Sequence, residues 1–250
     1  MTATGLSRSI SVGRRVFAQL RGDRRFIVAS TVVPLAVIFL LKTFWDALNT
    51  TMLDQTKFAV PAGVFIVHFV TYVLTAIVLV RERVAGTMER MFVDGYRPGS
   101  IVAGYLGGYT TLATIQSVLI LTELNLLFDI GFGLGANLEV FVVMWLMAVL
   151  SLSLGVLVSN AARNEGQVFP FIPLVMVPPV FLSGLVVSVD SLPIWAQVLS
   201  RVVPLTYAID VVKEVLSGGT MFDALLPLLM LPVMIALVLF LASTTLRESR

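Results

Sequence analysis

Few residues in this sequence are equipped for chemistry, and their types exclude most of it. Cysteine is absent and His68 is the sole histidine, so a disulfide framework, a thiolate nucleophile, clustered-imidazole zinc and an HExxH pair are all ruled out. There is no GxSxG elbow, no paired-aspartate metal motif and no GxxxxGK[ST] phosphate loop. Ser183-Gly184 lacks the preceding glycine and the nearby base that an intramembrane serine nucleophile needs. What remains is polar side chains in apolar surroundings: His68 with Thr71, Tyr72 and Thr75 about a turn away, Glu123 and Asn125, and Glu139. Such groups are costly in lipid and rank as functional candidates, here for a substrate path or proton relay. The plainer reading of a lone histidine is a neutral imidazole hydrogen-bonded to a neighbouring helix. Glu123 and Glu139 can reach an interface, where solvation or pairing explains them. The residues favour a moved cargo over a catalysed reaction, with no cofactor bound by this chain.

These groups must be positioned by membrane helices. Hydrophobic residues make up 58% of the 250 positions and charged residues 13%, about half the charged share of a soluble domain. Mean hydropathy is +0.97. Six apolar stretches are each long enough for the roughly 20 residues that cross about 30 Å of hydrocarbon: 26–44, 58–80, 101–128, 138–158, 168–187 and 224–242. They are apolar on every face and none alternates with a barrel strand's period, so the expected class is an all-α integral membrane protein.

Lysine and arginine set the orientation, because positive loops stay cytoplasmic. Arg8, Arg14, Arg15, Arg21, Arg24 and Arg25 precede the first span, and Arg81, Arg83, Arg90 and Arg97 follow the second. Arg163, Arg247 and Arg250 share that side, against Lys42, Lys57, Arg201 and Lys213 on the other. Both termini and the loops 81–100 and 159–167 are therefore expected in the cytoplasm. The net charge of +2 gives no reason to expect nucleic acid. The basic N-terminal region is too long, and its apolar run too extended, for a cleaved secretory signal. Segment 7–25 reads as an interfacial helix with Ile10, Val16, Phe17 and Leu20 on one side, and Gly5, Gly13 and Gly22 leave a disordered basic tail as the alternative.

Two further segments are neither spans nor simple loops. After the second span, Thr87 could cap a short helix that Gly95 ends, with Met88, Met91 and Phe92 on one face. That face fits a partner's groove or the membrane surface equally well. In segment 190–219, Asp190 or Ser191 could cap a helix with Pro193 in its first turn and Ile194, Trp195, Val198, Leu199 and Val202 along one side. Pro204 interrupts it, and a second helix runs to Gly218-Gly219 with Asp210, Lys213 and Glu214 on its polar side. Both are too short to span, so an outer re-entrant hairpin is expected. Pro170, Pro173, Pro178 and Pro179 should bend or unwind the fifth span, which then needs protein or a cavity beside it. Pro34, Pro61, Pro227 and Pro232 suggest gentler kinks. The expected organisation is one transmembrane unit over 1–250: amphipathic helix 1–25, spans one to five 26–187, hairpin 188–220, and span six with a cytoplasmic tail 221–250.

Two stretches resemble the membrane subunits of type-2 ATP-binding-cassette exporters, a group that includes drug, lipid and polysaccharide export permeases. The first is Arg81-Glu82-Arg83, Gly86-Thr87-Met88-Glu89 and Arg97-Pro98. The second is Pro178-Pro179, Leu182-Ser183-Gly184, Leu192-Pro193 and Pro204-Leu205-Thr206-Tyr207-Ala208. With the span count, the resemblance covers essentially the whole chain. Tyr105, where many relatives carry a lysine, and segment 92–96 depart from the pattern. The resemblance implies a dimer of six-helix subunits on two cytoplasmic ATPase subunits that bind ATP and Mg. Glu82, Gly86, Thr87, Met88, Glu89, Arg90, Met91 and Phe92 would form a coupling helix, with an apolar knob in a charged collar. The N-terminal helix would pack beside Glu82. The second and fifth spans would line the path with His68, Thr71, Tyr72, Phe171, Met176 and Phe181, and Pro193, Trp195, Pro204 and Tyr207 would belong to the hairpin.

An ATP-independent carrier or channel is the first rival, yet the two three-helix halves show no inverted echo. An intramembrane enzyme is the second, and it lacks a nucleophile or metal constellation. The short outer loops favour a lipophilic drug-like or lipid cargo over a large polymer.

Overall fold

The computed structural model describes residues 5–48, 54–162 and 164–248, and among them there is helix and no strand. Arg163 and Arg250, and the side chains of Leu20, Arg25, Met88 and Arg247, lie outside the described residues. Six helical segments are long and apolar enough to cross a membrane: Phe26–Leu48, Gln55–Val84, Gly99–Phe128, Leu134–Ala161, Glu165–Leu182 and Leu225–Thr245. The six expected spans are all present, most of them longer than their apolar cores.

The chain opens with α1 (Gly5–Gly22) and α2 (Arg24–Leu48). Asp23 separates them, and its carboxylate caps α2 by accepting the Phe26 N–H at 3.0 Å. Then come α3 (Gln55–Val84), the short α4 (Thr87–Val93), α5 (Pro98–Phe128) and α6 (Leu134–Ala161). Asp54 caps α3 through the Thr56 N–H. Next is α7 (Phe171–Leu182), preceded by a 3-10 turn Glu165–Val168, then α8 (Ile194–Ser200), α9 (Pro204–Leu216) and α10 (Leu225–Glu248).

The core lies between α3 and α6, the two spans most buried within the chain. Small residues let them meet: a Cβ built at Gly155 of α6 would lie 2.9 Å from Thr75 Cβ and 3.1 Å from Ala76 N of α3. α5, α9 and α10 pack around that pair, while α2 and α10 leave most of their surface to the surroundings.

Three expectations change. The fifth span was placed over 168–187, but its α-helix ends at Leu182. The α-helix covers 12 residues, so the unwinding expected of the prolines falls at Pro170, its N-cap, while Pro173, Pro178 and Pro179 lie within the helix. α1 forms as expected, but it does not bury Ile10, Val16 and Phe17 together. Val12 and Val16 are buried against Gly104 and Gly108 of α5, whereas Ile10 and Phe17 remain exposed. In the 190–219 segment Pro193 is itself the N-cap of α8, not Asp190 or Ser191, and those two lie in a separate 3-10 turn. α9 runs as expected from Pro204 to Leu216, with Gly218 at φ 93° beyond it.

Candidate functional site

The densest cluster of charges that bond across the fold lies where α3 meets α4. Successive helical residues point about 100° apart, so Arg81, Glu82 and Arg83 face three directions, and each holds a different part of the molecule. Arg81 reaches the 3-10 turn ahead of α7, donating Nε to Glu165 Oε1 at 3.0 Å and Nη2 to Oε2 at 3.2 Å. Glu82 turns inward, 4% exposed. It accepts from Arg15 Nη2 of α1 at 2.7 Å and from the Tyr105 hydroxyl of α5, while its other oxygen has no partner among the described residues. Arg83 reaches the C-terminal end of α6, donating to the Asn160 carbonyl at 3.0 Å and to its side-chain amide oxygen. The Asn160 amide nitrogen passes the link to α10, donating to Ala242 O at 2.9 Å and Thr245 Oγ1 at 2.8 Å. Three adjacent residues thereby tie the root of α4 to α1, α5, α6, α10 and the start of α7.

α4 is separated from α3 by Ala85 and Gly86. Its N-cap is Gly86, in the left-handed region at φ 70°, and not Thr87. Its C-terminus closes as the sequence suggests. Gly95 at φ 78° donates to Phe92 O at 3.0 Å and Tyr96 donates to Met91 O at 2.9 Å, the paired bonds of a Schellman motif. Arg8 of α1 clamps this turn, its guanidinium bonded to Gly95 O and stacked 5.6 Å from the Tyr96 ring centroid.

Of Met88, Met91 and Phe92, the apolar knob that the resemblance implies, Met91 is not turned outward. Met91 is 7% exposed, with Arg15 Nη1 4.0 Å from its sulfur, and Phe92 packs partly against the core. This seven-residue helix thus turns Met91 and part of Phe92 onto its own chain. What it turns outward is Val93, 88% exposed, together with Glu89 and Arg90, and Val84 just before it is also exposed.

The residues expected along a path are distributed, not gathered. His68, 1% exposed, pairs Nδ1 with Ser151 Oγ of α6 at 2.6 Å. Ser151 gives its own proton to Met147 O at 2.6 Å, so the bond to His68 requires the Nδ1–H tautomer. This is the helix-to-helix bond of the plainer reading. Thr71 donates to Gln116 Oε1 of α5 at 3.0 Å, also inside the chain. Tyr72, Phe171 and Met176 do come together: the Tyr72 hydroxyl donates to Phe171 O at 3.2 Å, and Met176 joins Tyr72, Ala76 and Val80 in one cluster. Phe181, 61% exposed, stands outside with Leu174 and Val177 on the open face of α7.

At the opposite end of the bundle Pro193 and Pro204 start α8 and α9, Trp195 is exposed, and the Tyr207 hydroxyl donates to Arg201 O at 2.7 Å. Glu139 is paired, accepting the Met221 N–H at 2.9 Å.

Arg15, Asn160 and Glu165 were not singled out from the sequence for these roles. Arg15 lies 67 positions from its partner Glu82, and nothing local announces such a pairing. Tyr105 did give a signal. It departs from the pattern that the sequence resembles, and here its hydroxyl donates to the same buried carboxylate that Arg15 pairs with.

Six apolar spans, with α3 and α6 at their buried centre and a charge-anchored short helix at one end, define a multi-pass helical membrane protein. Residues 9–216 match the ABC-2 type transporter family, and the chain belongs to that family. It is 28% identical over 175 residues to ABC transporter G family member 20 of Dictyostelium discoideum, a match covering 68% of this chain and 23% of that protein. It is 27% identical over 187 residues to the probable multidrug ABC transporter permease YbhR of Escherichia coli (strain K12), covering 72% and 50%. Nodulation protein J of Rhizobium leguminosarum bv. trifolii is 29% identical over 174 residues, covering 65% and 61%. The matched region thus spans between 23% and 61% of these curated relatives. The family is that of the membrane component of ABC transporters, not the ATPase.

Proposed function

We propose that this chain is the permease subunit of an ATP-driven exporter in the cytoplasmic membrane, moving a lipophilic drug-like or lipid substrate outward. Both termini and α4 lie in the cytoplasm on this reading, as the arginine distribution argues. A separate ATP-binding-cassette subunit binds ATP and Mg and docks on α4. α4 acts as the coupling helix, α1 as the interfacial connecting helix, and α8 with α9 as the outer re-entrant hairpin.

The observation that carries the proposal is the three-way anchoring at Arg81, Glu82 and Arg83. A push on α4 reaches most of the spans through these bonds without depending on a loop. ATP-driven motion requires contacts that differ between two states. The exposed Arg81–Glu165 pair is suited to exchange, since exposed ion pairs contribute only about 0–1 kcal/mol.

A second permease copy, identical or homologous, covers the apolar face of α7 with Leu174, Val177 and Phe181, and the cargo path runs along that seam. Phe171, Met176 and Tyr72 line its inner side, while His68 and Thr71 fix α3 against α6 and α5. An ATP-independent carrier is the alternative, and it would lean on His68.

The test is reconstitution in proteoliposomes with an ABC ATPase encoded beside this gene. Val93→Glu should abolish ATPase association and ATP-dependent efflux while membrane insertion and melting temperature stay unchanged. Efflux that persists without the ATPase and is lost in His68→Ala would establish the carrier instead.

A further inference from the structure

The end of the bundle opposite α4 holds a cavity of about 670 Å³ between the 188–190 turn, α8, α9 and the start of α10. That volume lies within the range of small-molecule sites, roughly 300–1,000 Å³. Its wall carries four charged residues, Asp190, Arg201, Asp210 and Lys213, two of each sign. Lys213 is committed, donating to Gly184 O at 2.9 Å. Among the described residues the Asp210 carboxylate and the Arg201 guanidinium form no hydrogen bond or ion pair of their own, although both line the same space. Other polar groups there are satisfied locally: Gln197 bonds Leu192 O at 2.8 Å, Thr206 bonds Ser200 O at 2.8 Å, and Tyr207 bonds Arg201 O.

A wall with balanced charge gives no net attraction to a simple cation or anion. It does favour a ligand that carries both signs a few atoms apart, because each head then meets its opposite. The remaining wall is apolar, from Leu226, Pro227 and Met230 of α10. It continues outward into Leu225, Leu229 and Val233, which are exposed on a helix long and apolar enough to cross a membrane. A polar floor running into a lipid-facing side suits an amphiphile.

We infer that this cavity binds the headgroup of an aminophospholipid, with its ammonium at Asp210 and Asp190, its phosphate at Arg201, and its acyl chain along the start of α10. Arginine's planar fork fits a phosphate through paired bonds, and a primary ammonium has three protons to give two carboxylates. The inference needs the membrane-spanning bundle alone, and neither an ATPase nor export.

The test is calorimetric titration of the purified full chain in detergent with dihexanoyl phosphatidylethanolamine. The comparison ligands are dihexanoyl phosphatidylglycerol, hexylamine and free phosphoethanolamine. Saturable binding of the first, with each of the other three weaker by about tenfold or more, is expected, and about tenfold corresponds to 1.4 kcal/mol. Asp210→Asn and Arg201→Gln should each weaken it by a similar factor without lowering the ligand-free melting temperature. Equal binding of phosphatidylglycerol or hexylamine would overturn the paired-charge recognition. Equal binding of free phosphoethanolamine would overturn the lipid source and leave a soluble zwitterion. No binding, or unchanged affinity in both variants, would overturn the site.

Discussion

Glu82 is the residue on which the α4 end turns. A carboxylate 4% exposed at the end of a span persists only because Arg15 and the Tyr105 hydroxyl neutralise and bond one of its oxygens. Arg15→Gln should therefore cost more than an ordinary surface change, about 1–3 kcal/mol, and Tyr105→Phe about 1 kcal/mol, measured by unfolding in detergent. Two aspartates far from this site give opposite pH responses. Desolvation in the cavity wall pushes the Asp210 carboxyl above its ordinary 3.8, Lys213 opposing and Asp190 adding. The folded state then binds that proton more readily than the unfolded one. Between 3.8 and the raised value its contribution falls as pH rises, a slope that Asp210→Asn should remove. Asp223 is the reverse. The Thr220 N–H and hydroxyl both donate to it at 2.8 Å and hold its carboxyl below 3.8, so its contribution is present above that value and lost as pH falls through the depressed one. Melting curves of the two asparagine variants against pH should separate the windows. At this scale the sequence was partly legible. Glu82 was marked only by the resemblance, but its Arg15 partner and the Asn160 partner of Arg83 are set by helix packing across 67 and 77 positions, which no local pattern encodes.

Elements were more legible than their faces. All-round apolarity found the six spans, and proline chemistry foretold the unwound start of α7. What covers the faces of α1 and α4 was not legible, because amphipathicity shows that a helix has a side to bury, not what buries it. α1 is seated by two glycines one turn apart on α5. A Cβ at Gly108 would lie 2.6 Å from Val16 Cγ1, and at Gly104 2.8 Å from Ser9 O. Gly108→Leu should lift α1 from α5, cost about 1–3 kcal/mol by overpacking, and open the Arg15–Glu82 pair. Faster proteolysis within residues 5–22 would report it, and an unchanged rate would mean that α1 is held elsewhere. Met91 carries the same lesson. Being buried, Met91→Glu should lower the melting temperature, whereas Val93→Glu, on the open side of α4, should leave it unchanged.

At the scale of the whole molecule, one chain leaves much of its apolar surface uncovered. Lipid satisfies α2 and α10, but α7 has only 12 residues of α-helix, internal prolines and an exposed row of Leu174, Val177 and Phe181. A second subunit against that face would supply what lipid cannot, partners for the backbone groups that the prolines release. The account as a whole depends on α4 facing the cytoplasm, where a soluble motor can reach it. The absence of native cysteine makes this directly measurable. Val93→Cys and Trp195→Cys, each the sole thiol in its variant, can be labelled with a membrane-impermeant maleimide in oriented vesicles. Residue 93 should react in inside-out vesicles and residue 195 in right-side-out ones. The opposite pattern, with residue 93 labelled from outside, would contradict the account, because no ATPase could then touch α4.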